Sequence, residues 1–403
     1  MMSGPLAGVR VLDLSQFLSG PRAGQILSMQ GADVLKVESP IGDTMRLIMT
    51  MTGSQRTMHT LHQGKRGMVL DLNRPGAGDL LLQLAAKADV VIENFAPNVM
   101  EKIGLGYERF AAANPRLIYA SIRGFGRSGP LADRTAFDLI AQATGGTMFA
   151  NHAVDRPPGV FFGDLCAGAY AAIGILSALH ERERTGRGRL IDISMQDVLY
   201  FHNFWAFSDR ATMPDHDQIS GLLGGSMENL LSDPGNPMQF WNSYRAKDGY
   251  VVVVALTDKQ WRALMDVIER PDMKADPRFA SFVDRIRNAK DGIGAVTEWT
   301  AARTVAEVVA ALSARQIPCG PVLDYEQLMT DPQLTARGML ACARHPKLGE
   351  VAVPGFPIKY VGDPEPKVEP GPEMAEHTAE SLRDWLGLDE AEIAALRKGN
   401  VVI

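Results

Sequence analysis

GVRVLDLSQFLSGPRAGQILSMQGADVLKVE, residues Gly8–Glu38, is the stretch whose reading decides the fold. Gly8–Ser15 is a short apolar run that leaves into a turn at Ser19–Pro21, the pattern of a buried strand. A helix follows, stopped by Gly31, and Val34–Glu38 reads as a second strand. Strand, helix and strand over this length predict a parallel βαβ unit, whose ligands sit beyond the C-terminal ends of the strands. The glycines at 20, 24 and 31 do not fit G-x-G-x-x-G. A nicotinamide or flavin site is therefore weakly supported, and the turn and the helix end account better for these glycines.

The pattern then repeats. Strands are expected at Gly67–Asp71, Val90–Glu93 and Leu117–Ser121, with helices at Ala77–Ala88 and Tyr107–Ala113. Met45–Gly64 is poorly periodic and reads as loop or short helices. The alternation predicts an α/β fold with a Rossmann-like open parallel sheet. After Asp197 the character changes. Asp248–Leu256 is a clear strand, and helical segments follow at Asp258–Ile268, Phe279–Asp291, Gly292–Ala302 and Val305–Arg315. These imply a smaller α+β domain at 226–330, reached by a linker at 201–225. Residues 1–200 form the first part of the large domain. Residues 331–403 complete it, with a Pro- and Gly-rich extended stretch near Pro354–Pro372 and two C-terminal helices, Gly387 ending the first and Asp389 capping the second.

GVFFGDLCAGAYAAIGILSALHERERTGRGRLIDISMQD, Gly159–Asp197, is the second informative stretch. Asp164 opens a segment of small residues that predicts a helix against which another backbone can pack closely. Read from residues alone, Asp164 is first a helix N-cap. The alternative is a carboxylate kept ionised by the helix N-terminus and able to attack an activated acyl group, with backbone N–H groups at the turn stabilising an oxyanion. Asn94–Phe95, just after a strand, reads either as an ordinary turn or as an amide and an aromatic that hold a flat ring. Arg22, Lys65, Arg66, Lys102, Arg123, Arg127 and Arg134 stand near strand ends, where they are phosphate candidates or a solvated face.

Composition narrows the function classes. A net charge of −6 gives no field for nucleic acid. Cys166, Cys319 and Cys342 form no CxxC pair, which argues for a reducing compartment and against zinc. His59 and His62 are the nearest approach to a metal pair, and their spacing is a weak one. No apolar run approaches the ~18 residues of a bilayer span, and the N-terminal residues lack a basic start followed by an apolar core. These features point to a cytoplasmic protein with no membrane partner. No Ser-His-Asp order, G-x-S-x-G elbow or P-loop is present.

Taken together, PLAGVRVLDLS at 5–15, GADVLKVE at 31–38, KRGMVLDLNRPGA at 65–77, ADVVIENFAPNVMEKIGLGY at 88–107, NPRLIYASIRGFG at 114–126, FDLIAQATGG at 137–146, residues 163–197 and IPCGPVLDYEQL at 317–328 resemble the class III CoA-transferases, the family of formyl-CoA transferase and carnitine CoA-transferase. The resemblance implies CoA transfer from an acyl-CoA to a free carboxylic acid, with coenzyme A thioester as substrate and no resident cofactor. Asp164 falls on the nucleophile, which would carry an acyl-aspartyl anhydride and then an aspartyl-CoA thioester. Gln16, Phe17, Asn94, Phe95 and Lys102 fall on CoA contacts, Lys102 at the nucleotide phosphates. Leu18 stands where formyl-CoA transferase has a glutamine, which implies an acyl group less polar or larger than formyl. Gly221–Gly225 is a candidate for the mobile glycine loop. The family also implies an interlocked homodimer. Two alternatives stand beside it: an α-methylacyl-CoA racemase-like enzyme, whose histidine would fall at Phe137, and a catalytically silent CoA-binding protein.

Overall fold

The computed structural model describes residues 4–54, 56–151, 153–203, 241–362 and 368–403. They divide into two compact units, one of Met1–Phe149, Ala153–His202 and Pro332–Ile403, the other of Ala150–His152 and Asn203–Asp331. In the first, β1 (Arg10–Asp13), β2 (Asp33–Glu38), β3 (Arg66–Val69), β4 (Val90–Glu93), β5 (Ile118–Arg123) and β6 (Arg189–Ser194) form one parallel sheet in the order β3-β2-β1-β4-β5-β6. The order reverses between β1 and β4. The loops that leave those two strands diverge and open a crevice there.

Both faces of the sheet are covered, as continuous apolar strands require. On one face Val11, Val34, Val90, Ile92, Ile118 and Ala120 pack with α1 (Ser19–Ser28) and α9 (Phe162–Thr185). On the other, Leu12, Leu35, Val91 and Tyr119 meet α4 (Ala77–Lys87) and α6 (Tyr107–Ala113), together with Leu382, Trp385 and Ile393 from the C-terminal helices Thr378–Leu386 and Glu390–Lys398. Gly387 ends the first of these in a left-handed cap, and the Asp389 side chain caps the second. Val402 adds a bridge to Leu70. The tail is thus part of the core layer.

α1 and α9 touch along small residues. A Cβ on Gly168 would lie 2.5 Å from the Ser19 carbonyl oxygen, so the glycine is what permits this approach. By length and composition α9 is apolar enough to cross a bilayer, which corrects the expectation that no apolar run approaches that length. It packs against α1, β5 and β6, with Ala167, Ala171, Ala172 and Ile175 buried, as a core helix does.

Beneath α1 lies a fully buried ion pair, Lys65 Nζ to Asp13 Oδ2 at 2.8 Å. Lys65 also donates to the Pro21 carbonyl at 2.8 Å, and the Ser15 hydroxyl donates to Asp13. Burial raises the Asp13 pKa, but the charges of Lys65 and Lys36 and the bonds from Lys65 and Ser15 outweigh it and hold the carboxyl below its usual range. A Cβ on Gly24 would sit 2.7 Å from Asp13 Oδ2 and 2.9 Å from Lys65 Nζ, which explains a glycine inside the helix. Lys36 donates to the Ser15 carbonyl and lies 3.6 Å from Asp43.

The sequence expectations differ from the structure in several places. Lys65 and Arg66 are not free for phosphate: Lys65 serves Asp13, and Arg66 pairs with Asp33 at 2.6 Å and Asp384 at 2.8 Å. Met45–Gly64, by contrast, holds two short helices as one of its two readings expects, α2 (Thr44–Met51) and α3 (Arg56–Leu61). Residues 340–354 form a hairpin, β10 (Leu340–His345) with β11 (Gly349–Pro354), where only connecting chain is expected. Alternating small and polar residues there carry a weak strand signal.

The second unit has an antiparallel sheet of β7 (Trp241–Arg245), β8 (Tyr250–Val254) and β9 (Cys319–Pro321), with a core around Trp261, Phe279, Trp299 and Leu312. The segment expected as one helix over Phe279–Asp291 is broken. Ser281 caps Phe282–Arg287, and the Asn288 side chain bonds back to Asp284 and Arg278 carbonyls before Ala289–Ala301 begins. Most of the 201–225 linker, with Gly221–Gly225, lies outside the described residues.

Replacing Lys65 by methionine strands a carboxylate in the interior and is expected to cost about 3–5 kcal/mol of unfolding free energy. Urea unfolding of Lys65→Met checks this, and a loss below about 1 kcal/mol would contradict the assigned role of the pair.

Candidate active site

The crevice at the strand-order reversal is walled by the loop after β1 and the loop after β4, and one amide ties them. Asn94 Oδ1 accepts the Gln16 N–H at 2.7 Å, while its Nδ2 donates to the Gln16 carbonyl at 2.7 Å and to the Ser19 hydroxyl oxygen at 3.0 Å. Both amide hydrogens are used by protein, so Asn94 shapes the loop rather than offering an open donor. Phe17 is held with φ at 60°, its N–H donated to Asp43 Oδ1 at 3.1 Å. Its ring meets Phe137 edge to face, 5.2 Å between centroids. Glu93 Oε2 accepts the Phe95 N–H at 2.9 Å, and the Phe95 ring leans on the core. Lys102 ends α5 (Val99–Lys102), exposed, with no ion pair among the described residues. Of the other basic candidates, Arg123 and Arg127 reach Glu101 at 3.7 and 3.1 Å, and Arg22 bonds Gln25 at 2.7 Å.

Asp164 lies on the same crevice. It is not the N-cap: α9 starts at Phe162 after Phe161, so Asp164 is the third residue of the first turn. The glycine at 163 lets that first turn close against Asp138 and Ala141. The Asp164 N–H donates to Asp138 Oδ1 at 3.1 Å, and Ser19 is near enough to act on the Asp164 carboxyl. Asp138 opens α7 (Asp138–Thr144); it is buried, and its Oδ2 accepts from Gln142 at 2.6 Å. Ser19, in the first position of α1, is also buried.

The electrostatics correct a second expectation. Burial, and after it the negative charge of Asp138, push the Asp164 pKa up to about 7, with Ser19 opposing them. Near neutral pH the carboxyl is therefore divided between acid and carboxylate, and the helix terminus does not by itself keep it ionised. Such a half-buried group, perturbed by a named neighbour at a strand-end crevice, marks a functional site.

Ser19 and Asp138 carry no motif signal of their own. Ser19 reads as part of a Gly-Pro turn, and Asp138 as one acid in an amphipathic helix. The His59–His62 pair is separated: His62 faces Lys65 at 3.2 Å, while His59 lies against His345, rings 4.1 Å apart. His59, His345 and Glu373 do converge. Yet His345 Nδ1 accepts the N–H groups of Lys347 and Leu348, each at 3.2 Å. The ring proton is therefore on Nε2, the atom that faces Glu373 at 3.7 Å, and that nitrogen is a donor rather than a metal ligand. A cleft of ≈ 1640 Å³ lies at the opposite ends of the strands, beside Arg10, Asp33 and Asp89; Asp164 is not in its lining. Chemistry, not concavity, locates the site.

Residues 6–378 match the family model described as CoA-transferase family III. The chain belongs to that family. It is 33% identical to a formyl-CoA:oxalate CoA-transferase of Streptomyces avermitilis over the full length of both chains. It is 35% identical to an acetyl-CoA:oxalate CoA-transferase of Acetobacter aceti, over 96% of this chain and 97% of the relative. A crystal structure of a CAIB/BAIF family protein from Brucella suis superposes with a TM-score of 0.78 at 32% identity, covering 95% of this chain and 99% of that one. The protein is thus an enzyme, a class III CoA-transferase, and its relatives support CoA transfer as its reaction.

The raised Asp164 pKa fixes the sign of a stability effect. The folded state holds this proton more tightly than the unfolded chain, whose aspartate titrates near 3.8. The proton's stabilising contribution is present below about pH 4 and is lost as pH rises through about 7. Asp164→Asn should therefore gain stability relative to the native enzyme between pH about 4 and 7 and hold a constant advantage above. Allowing for solvent screening of a half-buried group, the pH-dependent gain is about 1–3 kcal/mol. Thermal unfolding of both proteins from pH 4 to 8 measures it; parallel curves would contradict the raised pKa.

Proposed function

We propose that the enzyme moves CoA from an acyl-CoA thioester to a free carboxylic acid through covalent intermediates on Asp164. An Asp164 oxygen attacks the thioester carbonyl, the carbon–sulfur bond breaks, and CoA thiolate leaves an acyl-aspartyl anhydride. The thiolate then attacks the aspartyl carbonyl and expels the donor acid, giving an aspartyl-CoA thioester. An acceptor carboxylate repeats the steps in reverse. Each step exchanges one acyl bond for another, so neither oxidant nor metal enters the balance.

The observation that carries this reading is the placement of Asp164 at the strand-order reversal, half-buried, on the first turn of a helix. Its neighbours there are a carboxylate and a hydroxyl. A nucleophilic carboxylate needs no histidine beside it, only its own ionisation. The relatives named for acyl-CoA and oxalate support the substrate classes. We assign the CoA arm to Gln16, Phe17 and Phe95, with Asn94 tying their two loops together, and the nucleotide phosphates to Lys102, whose exposed ammonium makes no ion pair among the described residues. Leu18, half-buried between Phe17 and Ser19, supports an acyl group less polar or larger than formyl, with oxalate to be tested among the acceptors.

A homodimer belongs to the same proposal. Leu139, Ile140, Ile173, Tyr200 and Phe201 are all more than 40% exposed, an apolar surface larger than isolated side chains account for. Three unpaired thiols support a reducing, cytoplasmic setting.

Asp164→Ala is expected to abolish transfer while leaving CoA binding, and intact mass after incubation with acyl-CoA should show an adduct on the native enzyme and none on the variant. Turnover by the variant overturns the nucleophile; binding without any adduct on the native enzyme indicates a silent CoA-binding protein. In the native enzyme kcat/KM should rise with pH through about 7, because the deprotonated carboxyl is the attacking form.

A further inference from the structure

The wall of the crevice beside Asp164 is aromatic. Phe17 stands two residues before Ser19, and Phe137 directly before Asp138, the carboxylate that accepts the Asp164 N–H. Their rings meet edge to face with 5.2 Å between centroids, so they join the two segments that flank Asp164. Phe17 is held there at a φ of 60°, uncommon for an aromatic residue, by the bond from its N–H to Asp43. Backbone strain of this kind persists where the surroundings over-determine it, and it clusters at ligand sites. Asp43 caps α2 and lies 3.6 Å from the buried Lys36, so the aim of the Phe17 ring is set from the core. Phe137 is nonetheless 61% exposed, and so is 54% of Phe161, which occupies the cap of α9. A cap residue and the third helical residue, here Asp164, stand side by side at a helix mouth, as in a capping box.

The charges at this wall have one sign. Asp138 acts on Asp164, and no lysine or arginine does. Arg22 on α1 is turned to Gln25 at 2.7 Å, and Arg134, three residues before Phe137, is exposed on its loop. An acyl carbon attacked by Asp164 comes within about 3–3.5 Å of a carboxyl oxygen, which brings the group attached to that carbon against the wall. A second carboxylate on that group would meet the field of Asp138 and the phenylalanine rings, with no cation to offset its lost hydration. A flat apolar group would instead cover exposed ring surface and pair with it edge to face or offset.

We infer that the Phe17–Phe137 pair selects the acyl group, and that the enzyme takes aromatic monocarboxylic acids in preference to dicarboxylic ones. This rests on Asp164 being the nucleophile. Phe17 backs the pair from the loop after β1, where it also stands beside the CoA arm. Phe137 supplies the open face on which the aryl group lies, and Phe161 closes the wall at the mouth of α9. The relatives matched by this chain are named for oxalate, a dicarboxylate, so the wall separates this chain from them in substrate.

Isotope exchange between an acyl-CoA and its own labelled free acid tests each acid by itself, here phenylacetate, acetate, succinate and oxalate. We expect kcat/KM for the phenylacetyl pair to exceed that for the succinyl and oxalyl pairs at least about 100-fold. Phe137→Ala should lower the ratio of phenylacetyl to acetyl exchange about tenfold or more, and Phe137→Leu, which keeps apolar bulk without the ring, should lower it less. Exchange of succinate or oxalate as fast as phenylacetate, in an enzyme that Asp164→Ala inactivates, overturns the selection and leaves the nucleophile intact. A Phe137→Ala protein that loses exchange of all acids equally, and whose mass by light scattering falls from dimer to monomer, assigns the ring to a subunit contact and also overturns it. No exchange with any acid overturns the transferase reading and this inference with it.

Discussion

A buried charge in a small space constrains everything above it, and in this enzyme that charge is the Asp13–Lys65 pair. Neither side chain has solvent to fall back on. The pair is tolerable only because its remaining valences are met: the Lys65 ammonium by the Pro21 carbonyl, the Asp13 carboxylate by Ser15. Those partners lie in the loop after β1 and the first turn of α1. The ion pair therefore sets the path of the chain from Ser15 to Pro21, and Lys36, under the Ser15 carbonyl, fixes it from the β2 side. Gly24 follows from the same constraint, since any Cβ there would enter the pair.

The site inherits this rigidity. Gln16, Phe17 and Ser19 stand on the fixed loop, and Asn94 transfers its position to the loop after β4. α9 is brought in by its small residues, so that Asp164 arrives beside Ser19 without a flexible connection. The cost of burying ions is offset by a crevice whose walls, and the proposed nucleophile beside them, are held in place before any substrate binds.

Periodicity made the sheet legible. Val90–Glu93 and Tyr107–Ala113 can be read to the residue, because an apolar run bounded by charged residues and an amphipathic turn bounded by Gly and Asn have few other solutions. Pairings across long sequence separations could not be read. Lys65 and Arg66 look like strand-end phosphate ligands until Asp13 and Asp384 are found beside them. Asp164 was singled out as the proposed nucleophile through resemblance alone, and its place in the helix was misjudged by three residues, since GVFFGD gives no sign that the helix begins at Phe162. Ser19 stayed hidden. A serine before Gly-Pro has an ordinary turn reading, and the amide that bonds its hydroxyl, Asn94, stands 75 positions further on.

The near-neutral titration of Asp164 follows from the same packing. Burial, and after it the negative charge of Asp138, disfavour the charged form of the carboxyl, and no arginine or lysine is among the causes that act on it. For the proposed reaction this balance matters. A cation placed against Asp164 would hold the resting carboxylate more tightly than a transition state in which the charge passes to the substrate, so it would lower the pKa at the expense of the attack. A carboxyl crowded by burial and by a second carboxylate is harder to ionise, but the charge it carries once ionised is loosely held. That is the electrostatic setting in which a carboxylate serves as a nucleophile rather than as half of an ion pair.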